Sequence, residues 1–363
     1  MPELPAVDGV VSAPQVLATA RSIAAVQLRS GAVPWFPGGH VDPWDHVESA
    51  MALSAAGLVA EAERAYEWLR ATQRSDGSWP LQVRDDVVED AASDTNFCAY
   101  PAVGVWHHVT TTGDEGFAER MWPVVRRAID FVLGLQQARG EVAWARGTGG
   151  EVAGEALLAG SASIHHSLVC ALALADHLGV AQPDWEVALE RLAHALRHHP
   201  EAFAAKDRYA MDWYYPVLGG PLRDAAGHDR ILRRWADFFV DGLGVRCVDD
   251  NPWVTGAETC ELVLSLELLG RREQAVEALA AMQHLREEDG SYWTGLVYSD
   301  GKRWPVERTT WTGAAVVLAA DALSRATPGA AIFHTARPGP PTGARPVDDA
   351  CGCPARLSEL VTD

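Results

Sequence analysis

Nowhere in its 363 residues does the chain carry an uninterrupted apolar run near the roughly 20 residues a membrane helix needs. Its first eight residues also lack the basic-then-apolar pattern of a signal peptide. These two absences predict a cytoplasmic protein without a transmembrane segment. Cations are scarce: 30 Lys and Arg stand against 49 Asp and Glu, a formal charge of −19. Such a surface field repels phosphate backbones and anionic lipid, which argues against nucleic acid as a partner. No Walker lysine loop and no GxGxxG occur, so nucleotide binding has no sequence basis. Cysteine is sparse too. Of six, Cys98, Cys170, Cys247 and Cys260 lie singly in or beside apolar stretches, as reduced core thiols do, while Cys351 and Cys353 form a CGC in the tail.

What is present is periodicity. Amphipathic stretches of helical period alternate with more continuously apolar, Ala-rich ones. The first kind predicts outer helices near 14–29, 58–73, 117–137, 184–198, 228–243 and 272–285. The second predicts inner helices near 43–57, 94–109, 162–178, 211–219, 255–269 and 309–324, with few strand-like alternations between them. One helical hairpin cannot bury both faces of its inner helix, whereas six in a ring bury them against each other. The expected fold is therefore an all-α (α/α)6 toroid over residues 1–326. Residues 327–363, rich in Pro, Gly and Ala without apolar period, read as a mobile tail.

Outer helices end in a recurring phrase. It is most complete from Arg64 to Leu69 and then Gln73-Arg74-Ser75-Asp76-Gly77-Ser78-Trp79, looser from Gln283 to Asp289-Gly290-Ser291-Tyr292-Trp293, and weaker where Gln27 precedes Trp35 and Gln136 precedes Trp144. This resembles the QW repeat of the squalene-cyclase and prenyltransferase superfamily. Glycine there permits a tight helix exit, Trp packs over the turn, and the Gln amide ties neighbouring backbone groups together. The functional motifs of that superfamily are missing: no DxDD, no zinc-binding Asp-x-Cys, no DDxxD. A second phrase, Thr112-Gly113-Asp114-Glu115-Gly116-Phe117 followed by Met121 to Phe131, looks like the opening of an outer hairpin in six-hairpin glycosidases. Those enzymes also use an (α/α)6 barrel.

In an alternating toroid the inner helices run parallel, so their N-termini share one mouth. Reading those starts gives Asp42, Trp44, Asp45, His46 and Glu48; Asp94, Asn96 and Tyr100; His165 and His166; Asp212, Trp213, Tyr214 and Tyr215; Glu258 and Glu261; and Glu307, Arg308 and Trp311. Helix capping accounts for part of this set, as Asp42-Pro43 and Thr255-Gly256-Ala257-Glu258 show. It does not account for the Trp, Tyr and His residues beside the caps. Carboxylates crowded in a partly dry mouth cannot all ionise, so one becomes a general acid, while aromatic faces steady a developing cation.

That chemistry suits a protonated alkene and an oxocarbenium ion equally. For a cyclase the nominations are Asp45 as proton donor, Asp94 and His46 as its partners, and Trp44, Trp213, Tyr214 and Tyr215 as lining. For a glycosidase the pair joins Glu258 or Glu261 to Asp45 or Asp94. The isoprenoid reading stands first because its resemblance spans residues 15–325. Carbohydrate hydrolysis stands second, and a toroid that only binds a ligand third. Each needs a small-molecule partner and no cofactor. Adjacent His165-His166 and His107-His108 point in different directions and make no two-ligand metal site; zinc on Asp94, Cys98 and a distant His is the lesser alternative.

Overall fold

The computed structural model describes residues 3–335. Along the chain come α1 (Ala13–Val26), α2 (Pro43–Ala55), α3 (Val59–Thr72), β1 (Gln82–Arg84), β2 (Val87–Asp90), β3 (Ser93–Asp94), α4 (Thr95–Ala99), α5 (Pro101–Thr112) and α6 (Glu115–Leu133). Then follow β4 (Ala145–Arg146), α7 (Leu158–His177), α8 (Pro183–His198), α9 (Ala210–Leu218), α10 (Ala225–Arg233), α11 (Trp235–Phe238), β5 (Phe239–Val240), β6 (Gly244–Arg246) and β7 (Trp253–Thr255). The last elements are α12 (Gly256–Leu268), α13 (Arg272–Ala281), β8 (Gly295–Val297), β9 (Lys302–Arg303) and α14 (Thr310–Ser324).

The inner helices close a ring. Helix α2 packs on α5, α5 on α7, α7 on α9, α9 on α12, α12 on α14, and α14 returns to α2. Outside them stand α1, α3, α6, α8, α10 and α13, each against an inner helix. This is the (α/α)6 toroid that the alternation predicts. Every residue of α2 is buried, because an inner helix has neighbours on all sides and gains nothing from a polar face. Helix α7 is long and apolar enough to cross a bilayer by composition, yet here it is the third inner helix, interrupted by Ser161, Ser163, His165, His166 and Ser167.

Glutamines join the outer helices. Gln73 Nε2 donates to Gly77 O in its own turn at 3.0 Å and to Val124 O on α6 at 2.9 Å. Gln27 does the same to Gly31 O and Glu61 O on α3, and Gln136 to Gly140 O and Ala188 O on α8. The turn glycines Gly31, Gly77 and Gly140 have φ of 100°, 93° and 110°. A Cβ on any of them would overlap a carbonyl of the next outer helix: Arg64, Arg127 and Arg191 respectively. The phrase is thus a steric joint between successive hairpins. Trp79 closes its own turn, its Nε1 donating to Leu69 O at 3.0 Å, and Trp293 Nε1 donates to Glu287 in the turn of the Gln283 phrase.

Three expectations need amending. The fifth outer helix, expected over 228–243, ends at Arg233; after the single turn of α11 the chain becomes a hairpin, with Gly242 at φ 70° and Gly244 at φ 114° where an α-helix cannot continue. That hairpin starts a five-stranded antiparallel sheet, β5 to β9 in order, whose two- and three-residue strands are too short to show alternation. The expected tail starts late: Pro328–His334 forms a 3-10 helix that buries Ile332 and Phe333 against the ring. Cys351 and Cys353 lie outside the described residues. Cys98, Cys170, Cys247 and Cys260 are all free, and all but Cys247 are buried.

Candidate active site

Capping builds the mouth. Asp42 accepts from Trp44 N and Asp45 N at the start of α2, both at 3.0 Å, and Asp94 accepts from Phe97 N at 3.1 Å at the start of α4. Asp212, in the first turn of α9, reaches across to Ala159 N of α7 at 3.2 Å. These bonds satisfy helix-start amides and fix side chains at one end of the ring. Between them opens a cavity of about 490 Å³. Asp45, Asp212 and Glu258 from the inner helices α2, α9 and α12, and Asp94 from the start of α4, line it together with Trp44, Asn96, Tyr215 and Trp311.

Burial governs the electrostatics. It raises Asp45 well above the ordinary carboxylate range, and the neighbouring Asp42, Glu48 and Glu261 raise it further. Asp94 is pushed to about 7 by burial, with Asp42 adding to it, and Asp212 to about 6 by burial. Glu258 is also raised by burial. One wall is aromatic: Trp35 lies 5.6 Å from Trp311, Trp311 5.7 Å from Trp44, and Trp44 5.0 Å from Tyr100 by ring centroids. Asn96 Oδ1, Ser161 Oγ and Trp44 Nε1 are buried polar atoms without a hydrogen-bond partner, and all three residues line the cavity. A ligand rich in hydroxyl groups would satisfy them.

Other nominated residues lie elsewhere. His46 accepts from Val33 N and donates to Ala65 O, beside Trp68, and burial lowers it to about 4; it is a neutral packing residue with no face on the cavity. His165 bonds Gly219 O, and His166 stacks on Phe333. Trp213 Nε1 donates to Arg230 O and its ring stacks on Phe238, away from the cavity. Tyr100, Tyr214 and Glu261 sit below the cavity lining, joined in hydrogen bonds with Glu48 and Tyr215. Glu307 accepts from Trp35 Nε1, and Arg308 pairs with Asp289, both lining a separate groove. Cys98 Sγ accepts from Trp79 N, and among the described residues no group of three His, Cys, Asp or Glu is placed to hold a metal.

The reading of helix starts missed Trp35, Trp144, Lys206, Tyr209, Met211 and Cys247, which also line the cavity. Trp35 and Trp144 were visible as the ends of turn phrases, but they point into the cavity instead of packing over their turns.

No family model matches the chain. A curated relative, the MMP endo-(1,4)-3-O-methyl-alpha-D-mannosidase of Mycolicibacterium hassiacum, is 66% identical over 331 residues, 91% of this chain and 92% of that protein. The chain belongs to the family of that mannosidase. Among solved structures, a glycosidase matches with a TM-score of 0.67 at 18% identity, covering 85% of this chain and 97% of the other. A D-mannose isomerase matches with 0.64 at 9%, covering 85% and 96%. At these identities the two structures show the shared toroid only.

Membership in the mannosidase family overturns the isoprenoid reading and supports the glycosidase likeness at Thr112 to Phe131. The Gln–Gly phrase misled because it solves a packing problem common to helical toroids. It carries no information about what the mouth binds.

Proposed function

We propose that the protein is an endo-acting glycoside hydrolase that cleaves internal α-(1,4) bonds in chains of 3-O-methylmannose. The observation that carries this reading is the 66% identity to the Mycolicibacterium hassiacum mannosidase across 91% of the chain. The cavity supports it. Carboxyl groups face each other there from different helices, buried polar atoms await hydroxyl partners, and an aromatic wall offers faces for sugar C–H groups. Apolar Phe97, Val142, Leu157, Ile164 and Met211 also line the cavity and suit methyl ethers.

In this reading Asp45 is the general acid. Burial and three neighbouring carboxyl groups favour its protonated form. Glu258, raised by burial without a neighbouring carboxylate adding to the shift, is the base. Asp45 gives its proton to the departing glycosidic oxygen as the C1–O bond breaks. A water oxygen bonds to C1, and its proton passes to Glu258. Asp94, Asp212 and Asn96 hold hydroxyl groups, and Trp44, Trp35 and Trp311 stack on rings.

The test is incubation with 3-O-methylated α-(1,4)-mannan, following chain length by mass spectrometry. Mid-chain cuts are expected, and Asp45→Asn should lower kcat by about two to four orders of magnitude. Release of single terminal sugars only, or full turnover by Asp45→Asn, would refute the proposal. Proton NMR of the first-formed product should show the inverted anomer.

A further inference from the structure

Two buried carboxyl groups on inner helices are not used by the hydrolysis just described. Glu48 lies one turn beyond Asp45 on α2, and Glu261 one turn beyond Glu258 on α12. Both are buried, at 2% and 1% exposure, and neither lines the cavity. Phenols hold them. Tyr100 donates its O–H to Glu48 Oε1 at 2.9 Å, Tyr215 donates to Glu261 Oε1 at 2.6 Å, and Tyr214 donates to Glu261 Oε2. Both oxygens of Glu261 therefore receive a proton donor, whereas among the described residues no tyrosine is bonded to Asp45. A carboxylate that accepts such bonds holds negative charge more readily than one that does not.

We propose that Glu48 and Glu261 are positioning residues: phenol donors settle negative charge on them, deep in the ring, and that charge keeps the transferable proton on Asp45 at the cavity surface. The proposal rests on Asp45 being the proton donor. Burial raises all three carboxyl groups; phenol donors act against it at Glu48 and Glu261, while at Asp45 nothing does, and Asp42, then Glu48 and Glu261, raise it further. Helix α5, packed on α2, brings His107 and His108, the latter bonded to Ser54 at the other end of α2. Helix α2 itself contributes Asp42 and Glu48, the α4 segment Asp94 and Tyr100, and α7 Cys170. Helix α9 contributes Asp212, Tyr214 and Tyr215, and α12 contributes Glu258, Cys260 and Glu261. Helix α14 brings Trp311 and, at its far end, Asp321 bonded to Thr327. On its outer side α2 turns His46 toward α3, where Tyr66 donates to Gly104 O. Opposing groups at the rim are His40, 3.9 Å from Asp42, and Lys206, which lines the cavity and with Arg230 acts on Asp212. Negative neighbours thus dominate around Asp45.

The experiment uses the full chain carrying Glu261→Gln or Tyr214→Phe. It measures kcat/KM against pH on the methylated mannan, and in parallel on an oligosaccharyl fluoride whose leaving group needs no proton. Removing the charge, or the phenol that stabilises it, lets Asp45 ionise earlier. The basic limb should therefore fall by about one pH unit. Above that limb activity on the mannan drops about tenfold, while the acidic side, KM and turnover of the fluoride change less than about twofold. Glu261→Asp should return part of the shift. A uniform loss at every pH, or an unmoved limb in a folded variant, overturns the proposal and leaves these residues a packing role.

An infrared readout separates this from the proposed hydrolysis. The carbonyl band of protonated Asp45, assigned by its loss in Asp45→Asn, should titrate at lower pH in Glu261→Gln even if neither substrate is cleaved. An unchanged midpoint again overturns the proposal, whereas a wild-type chain inert toward the mannan refutes only the hydrolytic reading.

Discussion

Acid should weaken this fold through its buried imidazoles, and His107 offers the cleanest measurement. It lies on α5 with no exposure, and neither ring nitrogen has a hydrogen-bond partner. The 3-10 helix Pro328–His334 covers it so closely that a Cβ on Gly329 would come 2.7 Å from its Nε2. Burial, with His108 adding to it, lowers His107 from 6.5 to about 3. In the unfolded chain the ring titrates near 6.5, so between these values the unfolded state takes a proton that the folded state refuses. The stability is fully present above about pH 6.5 and declines as pH falls toward 3. At about pH 5 the linkage relation gives a loss of roughly 2 kcal/mol relative to about pH 8 from this residue alone.

His107→Leu removes that titration and the cost of two unpartnered nitrogens while nearly conserving volume. Urea unfolding of both proteins at the two pH values isolates the effect. The parent should lose about 2 kcal/mol more than the variant between them. Comparing the two proteins cancels the other buried groups. His46, His108 and His165 act in the same direction, each lowered to about 4, whereas Asp94 and Asp212, raised to about 7 and about 6, favour folding as pH falls. Equal pH dependence in parent and variant would show that the ring reaches a proton in the folded state and would refute the reasoning.

Glu258→Gln should cut kcat on the methylated mannan by about two to four orders of magnitude, with substrate binding by calorimetry unchanged within a few fold. Gln73→Ala deletes two amide donations and the oxygen that accepts from Arg127; a loss of about 2–3 kcal/mol in urea unfolding is expected. Gly77→Ala and Gly113→Ala form a matched pair, both at positive φ. At Gly113 nothing lies within 4 Å of a Cβ and strain alone costs about 1 kcal/mol, whereas at Gly77 the overlap with Arg127 O forces apart two outer helices and should cost several times more.

The ring was legible because its physics is periodic. An inner helix such as α2 is buried on every face and an outer one such as α6 on one face only, and that difference is written in the spacing of apolar residues. The mouth was half legible for a related reason. Asp42 caps α2 and Asp94 caps α4, so both mark where the chain enters the mouth, and Trp44 and Asp45 follow within a turn, whereas Thr255 before Glu258 makes no cap bond. What lay beyond was set by loop paths that no period records. Lys206 and Tyr209 reach the cavity from the segment before α9, and Cys247 from the turn after β6. Within a helix start, sequence also could not say which side of the rod a residue takes. Trp213 and Tyr215 are two positions apart, so their side chains diverge by more than half a turn; one reaches Phe238 outside the ring and the other the cavity.

Substrate class failed at the same boundary between architecture and chemistry. Gln73 with Gly77 recurs at Gln27 with Gly31 and at Gln136 with Gly140 because successive hairpins must be joined at a fixed, close spacing, whatever the ring encloses. A motif that repeats around the ring describes what the hairpins share, whereas catalysis depends on what they do not. Asp45 on α2 and Glu258 on α12 have no counterparts repeated on α5 or α7. Their informative property is that non-equivalent helices bring unlike carboxyl environments to one cavity, one raised by Asp42, Glu48 and Glu261 as well as by burial and the other raised by burial. In a toroid, then, departures from the repeat at the inner-helix starts deserve more weight for function than the repeat itself. The same measure separates Glu261, enclosed by Tyr214 and Tyr215 beneath the floor, from Glu258 one turn above it on the cavity wall.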